Sequence, residues 1–198
     1  MNIRSLIVGM ATLFLLVQAL GCARSPQVNF YTLATMSPEV AAPAPPLHGV
    51  AVGPVTLPEL VDRPQLVLRV DANRVEIIET DRWAEPLKIE IPRLLAENLA
   101  HLLSPVRVST IDQSESRYAE FRVLVDIQRF ETVPGEGVKI DALWSVRRSA
   151  AGAVPRKGRS QVQETATGTG YEALVAAHSL ALAAISRDIA QALREESH

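Results

Sequence analysis

The chain has a single cysteine, Cys22, so no intrachain disulfide can form and no multi-cysteine metal site can be built. Its four histidines, His48, His101, His178 and His198, are far apart and none has a companion at metal-ligand spacing. No nucleophile elbow of Gly-x-Ser-x-Gly form, no His-Glu-x-x-His and no phosphate loop ending in Gly-Lys-Ser or Gly-Lys-Thr occurs. No excess of one charge exists either. The 20 Lys and Arg are matched by 22 Asp and Glu spread along the chain, which excludes the basic footprint of a nucleic-acid binder. Aromatic residues are sparse, only 5% of the 198. These absences point away from an enzyme, a metal or a bound cofactor. A hydrolase using His178 beside Ser179 as its base is the weakest reading.

What is present starts at the N-terminus. Arg4 precedes an apolar run from Leu6 to Leu20, relieved only by small residues and Gln18, and residues 1–21 read as a secretion signal. The run is shorter than the roughly 20 apolar residues that a spanning helix needs. It closes on Ala19, Leu20, Gly21 and Cys22, which resembles the lipobox of bacterial lipoproteins, with Ala19 where leucine is usual. That resemblance implies signal cleavage and a covalent diacylglycerol and N-acyl chain on Cys22, the alternative being a free thiol after an ordinary cut. Ala23 follows the cysteine where aspartate would retain the protein, which in enteric-type bacteria implies the outer membrane.

The remainder reads as one domain over 29–196, behind a tether at 22–28. Residues 29–33 are β-prone, and 38–47, rich in Pro and Ala, read as an extended internal loop; the alternative is one long stalk from 22 to 47. Residues 49–55 form a strand with Val50, Val52 and Val55 inward, and Pro54 is expected to keep it out of the middle of a ladder. Strands at 66–70 and 75–78 pair around Asn73 and Arg74, which brings the Asp62 and Asp81 loops to the same end of the sheet. From Asp81 a turn leads to Pro86 at the first helical position. A helix follows to about residue 103, striped by Leu87, Ile91, Leu94, Leu95, Asn98, Leu99 and Leu102, with a kink expected at Pro92, the alternative being a helix that begins there behind a short turn headed by Pro86. Asn98 is expected to bond a loop.

Residues 106–110 make a strand, and Phe121, Val123, Val125 and Ile127 alternate with Arg122, Leu124, Asp126 and Gln128 in another. Phe130 is out of phase, so a β-bulge belongs near Gln128 or Arg129. A hairpin at Gly135 and Gly137 leads to a strand whose Val138, Ile140, Ala142, Trp144 and Val146 share a face, with Leu143 on the other. A polar edge strand covers 159–164. The last helix, 171–195, carries the stripe Val175, His178, Leu182, Ile185, Ile189 and Leu193. The fold class is therefore α+β, a two-layer sandwich of a largely antiparallel or mixed sheet with two main helices on one face.

The chain resembles the paraquat-inducible protein C lipoproteins, also described as ABC-type transport auxiliary components. The resemblance rests on Phe30-Tyr31-Thr32-Leu33, Gly53-Pro54, Leu57-Pro58, Asp62-Arg63-Pro64-Gln65, and Arg82-Trp83-Ala84-Glu85-Pro86-Leu87. It continues through Leu95-Ala96-Glu97-Asn98-Leu99, Val125-Asp126-Ile127-Gln128-Arg129-Phe130 and Trp144. It implies a lipid-anchored accessory subunit facing the periplasm from the outer membrane. The implied partners are an Mce-domain periplasmic protein and an integral inner-membrane component, with lipid moving between the two membranes. Homo-oligomerisation is compatible with that role. The other reading is a periplasmic lipid carrier with an apolar cavity between helices and sheet. Arg63, Pro64, Gln65, Arg82, Trp83 and Glu85 are the candidate site, either binding the partner or forming a clasp in which Arg63 or Arg82 pairs with Asp62, Asp81 or Glu85.

Overall fold

The computed structural model describes residues 26–35, 47–150 and 152–197. The signal, Cys22 and all of the Pro/Ala loop except Leu47 lie outside the described residues. Eight strands and two long helices follow in order: β1 Asn29–Tyr31, β2 Val50–Thr56, β3 Gln65–Arg69, β4 Val75–Trp83, α1 Leu87–Leu102, β5 Val108–Thr110, β6 Phe121–Val133, β7 Gly137–Arg148, β8 Arg156–Thr165 and α2 Tyr171–Glu196. A short 3₁₀ turn, Ser114–Tyr118, links β5 to β6.

The sheet is mixed, and its long ladders, β6 with β7 and β7 with β8, are antiparallel. Strand β6 is the spine. One side of it holds β7 throughout; the other is shared by β2 along its first half and, at Thr132, by β3. Beyond β2 lies β5, and beyond β3 lie β4 and then β1. The ladder between β6 and β7 shifts register between Ile127 and Arg129, the bulge that the change of phase at Phe130 anticipates. With it, Phe121, Val123, Val125, Ile127 and Phe130 are all buried.

Both helices cover one face. Helix α1 lies on β2 and β5, α2 on β6, β7 and β8, and the helices touch each other. By length and composition α2 could cross a bilayer, but its apolar stripe is the core of this domain, with Leu182, Ile185, Ile189 and Leu193 fully enclosed. Between them, buried Asn98 and Ser186 approach to 3.4 Å, so Asn98 joins the two helices rather than helix and loop. Trp144 is half-buried on the helix side, its indole N–H on Ser160, whose hydroxyl donates to Asp188 of α2.

Three expectations need correction. Strand β2 sits between β6 and β5 in spite of Pro54, because β5 pairs only as far as Val52 and the β6 ladder shifts register between Val52 and Val55. The missing N–H therefore falls where no ladder bond is required. Residues Asp81 to Trp83 are strand, not a turn ahead of the helix, and Pro86 is the cap, so Leu87 is the first helical residue. Strand β1 forms as expected, yet it packs Tyr31 while leaving Phe30 exposed. Apart from these, helix α1 is continuous from Leu87 to Leu102 with Pro92 inside it, so it does not begin at Pro92.

At the β6–β7 hairpin, Gly137 has φ +135°, and a Cβ there would stand 2.0 Å from the Glu164 carbonyl oxygen of β8. Neither strain nor clash can relax without parting two strands. Gly137→Ala should therefore lower unfolding free energy by about 3 kcal/mol or more. Urea denaturation checks this, and a change below 1 kcal/mol would contradict the packing described.

Candidate functional site

The two expected loops meet at the β1 end of the sheet, through the backbone. Gln65 of β3 is in register with Arg82 of β4, where an unbroken ladder would give Glu79, and Arg82 is in register with Phe30 of β1. The Trp83 N–H donates to the Pro64 carbonyl at 2.7 Å, and the Ala84 N–H to the Tyr31 carbonyl at 2.7 Å. Backbone hydrogen bonds join these segments, and none of the ion pairs anticipated there, of Arg63 or Arg82 with Asp62, Asp81 or Glu85, forms among the described residues. Arg82 turns back on Glu79, its Nε 3.0 Å from the Glu79 carbonyl, and Gln65 donates to the same residue's carboxylate at 3.1 Å. Asp62 is taken by Lys88 at 2.5 Å and Glu85 by Arg93 at 2.9 Å. Exposed pairs of this kind contribute at most about 1 kcal/mol, so backbone pairing and burial hold the corner. Arg63 enters no ion pair among the described residues, and its Nε is buried without a hydrogen-bond partner.

Trp83 is a core plug, 5% exposed. Its ring meets Phe130 edge-on at 6.3 Å and His178 at 6.0 Å, while His178 stacks flat on Phe130 at 4.1 Å. His178 Nε2 is 2.7 Å from the Thr132 hydroxyl, and burial pushes the imidazole down to about 3. It is a neutral, packed histidine. The neighbouring Ser179 hydroxyl donates to the Val175 carbonyl and accepts from the Ala34 N–H, so this pair is committed to structure.

The slip in the β3–β4 ladder has a cause that sequence reading missed. It turns Asp81 inward, where the carboxylate accepts from Asn29 at 2.9 Å, Tyr31 at 2.8 Å and Thr80 at 2.7 Å. Burial alone would push Asp81 up; the bonds from Asn29, Thr80 and Tyr31 outweigh it and hold the carboxyl below its usual value. Burial and the Asp81 charge together raise the Tyr31 phenol. A second buried carboxylate, Glu90 of α1, is 1% exposed; it accepts from the Thr32 hydroxyl and from the Leu33 N–H at 2.8 Å. Ala34 continues onto Ser179 of α2. Residues 29–34 are therefore strapped across β4 and both helices. A signal for Glu90 was there to read: a carboxylate at the helical spacing of Leu87, Ile91 and Leu94 belongs to the buried stripe.

Among the described residues no group of three or more His, Cys, Asp or Glu is placed to hold a metal ion. Residues 31–190 match the profile of the ABC-type transport auxiliary lipoprotein component family, and the chain belongs to that family. The family is one of transport auxiliary components, not of enzymes. No curated protein matches the chain. Two solved structures share the fold. One, described as an uncharacterized protein, has a TM-score of 0.65 and 19% identity, over 84% of this chain and 99% of its own. A Xanthomonas campestris protein has a TM-score of 0.65 and 14% identity, over 81% of this chain and 92% of its own.

Two pH-linked outcomes follow from the buried groups. Unfolded histidine takes up a proton near 6.5, whereas folded His178 does so only near 3. Stability is therefore lost as pH falls below 6.5, with a contribution of about 1.4 kcal/mol per pH unit that His178→Phe should remove from urea midpoints taken between about pH 6 and 5. Equal slopes would contradict the buried neutral imidazole. Asp81→Ala should cost about 1–3 kcal/mol at neutral pH. That cost should shrink in acid, as the wild-type carboxylate is protonated and the stability it contributes above its unfolded pKa disappears.

Proposed function

We propose that this lipoprotein is the membrane-anchored accessory subunit of an Mce-type intermembrane lipid transport system. It docks the periplasmic Mce-domain partner at the outer membrane, in concert with an integral inner-membrane component, and so supports envelope integrity. The family match across residues 31–190 is the observation that carries the reading. The acyl chains on Cys22 supply the anchor: each buried CH₂ contributes about 0.8 kcal/mol, so several chains hold a domain without a spanning helix.

Two features of the fold are consistent with docking. The face of the sheet away from the helices is open and has Leu143, 42% exposed, in a shallow depression of about 490 Å³ that also takes in Pro54, Thr56, Leu124 and Lys157. Strand β8 pairs only with β7 among the described residues, which leaves an edge for another copy in a homo-oligomer. The space a carrier would use is occupied: Ile91, Leu95, Leu99, Phe121, Val123, Ile185 and Ile189 form one continuous core between the layers.

Crosslinking and affinity capture from envelopes, with wild type and Cys22→Ala, tests the proposal. Capture of an Mce-domain protein by the wild type, much reduced for Cys22→Ala, is the expected result. Absence of any such partner, together with a stoichiometric non-covalent lipid, would replace docking by lipid carriage.

A further inference from the structure

Strand β1 spends its alternate residues unequally. Asn29 and Tyr31 turn inward to Asp81, and Leu33 enters the core, whereas Phe30 is left 65% exposed with Val28 also open beside it. A solvent-facing position on an edge strand is ordinarily filled by a charged or small polar side chain. Phe30 lies eight residues after Cys22, and eight residues span at most about 29 Å. Wherever the acyl chains of Cys22 enter a bilayer, Phe30 is held within that distance of its surface.

The charge around Phe30 fits the same surface. Arg82, in register with Phe30, is matched by Glu79, and Asp62 and Glu85 are matched by Lys88 and Arg93. Arg63, two residues before Gln65, has no carboxylate partner among the described residues, and its buried Nε has no hydrogen-bond partner there. An arginine with no acid partner among the described residues, at the same end of the sheet as an exposed aromatic ring and one strand away from it, suits a phospholipid interface, where rings settle at headgroup level and guanidinium groups bind phosphate.

We propose that the end of the sheet that carries Val28 and Phe30 on β1 and Arg63 ahead of β3 is the face on which the domain rests against the phospholipid surface. Phe30 enters the interface and Arg63 takes a lipid phosphate. This rests on the lipid anchor at Cys22 and goes beyond it, because an anchor alone leaves the domain free to turn. It also sets the opposite end of β6, near Tyr118, away from the membrane.

The test uses the mature lipoprotein reconstituted into vesicles of phosphatidylethanolamine and phosphatidylglycerol, with or without brominated acyl chains. Phe30→Trp and Tyr118→Trp are compared after subtracting wild-type emission from Trp83 and Trp144; Tyr118 is 80% exposed and serves as the remote position. Emission added at position 30 should be lost in brominated vesicles, and emission added at 118 retained. Adding Arg63→Gln to Phe30→Trp should restore part of the lost emission. Protein that floats with the vesicles yet keeps its position-30 emission overturns the proposal and leaves the anchor standing. Unchanged quenching with Arg63→Gln overturns the phosphate contact. Failure to float overturns the anchor and this proposal together.

Discussion

Two buried carboxylates, Asp81 and Glu90, make the first residues of the domain inseparable from its core. Burying a carboxylate is unfavourable unless hydrogen bonds replace its water. Here much of that replacement comes from one short stretch: Asn29 and Tyr31 for Asp81, Thr32 and Leu33 for Glu90. Remove that stretch and both acids lose those donors inside the protein. The edge strand β1 pairs over only three residues, so its place depends on these side-chain bonds as much as on its ladder. The consequence is mechanical. A load applied at the anchor of a lipoprotein passes through residues 29–34 into β4, α1 and α2, instead of swinging on a loose stalk.

The core behind this strap is built on β6. A single strand that pairs with β7 along its length and with β2 and β3 in turn needs its inward residues to stay on one face, and the bulge at Gln128 achieves that. Phe130 and Thr132, just past the bulge, meet His178 and Trp83. The spine and the clasp are thereby one packed unit. Family membership says what class of machine such a rigid, anchored domain serves, and the filled layer between helices and sheet favours a scaffold over a vessel.

Much of this was legible in the sequence where the period was local. The stripe of α2, the alternation of β6 and its slip before Phe130 all concern residues near one another, and each appears as read. The central place of β2 was not legible, because Pro54 argues against it unless one knows that β5 stops at Val52. The meeting of the two loops at one end of the sheet is legible from the hairpin between them, whereas the bond between the Trp83 N–H and the Pro64 carbonyl is not, because backbone groups carry no residue-specific signal. The burial of Asp81 on Asn29 and Tyr31, in place of an arginine, is not legible because these donors stand some 50 residues earlier in the chain. Long-range polar pairing leaves no periodic trace.

Amide hydrogen exchange of the mature lipoprotein, read at Leu33 and Ala34, tests the strap most directly. If the strap is part of the core, these two amides should exchange as slowly as those in the middle of β6, opening only when the whole domain unfolds. Exchange at the rate of an unstructured peptide, with β6 still protected, would show instead that the anchor is joined to the domain by a free tether.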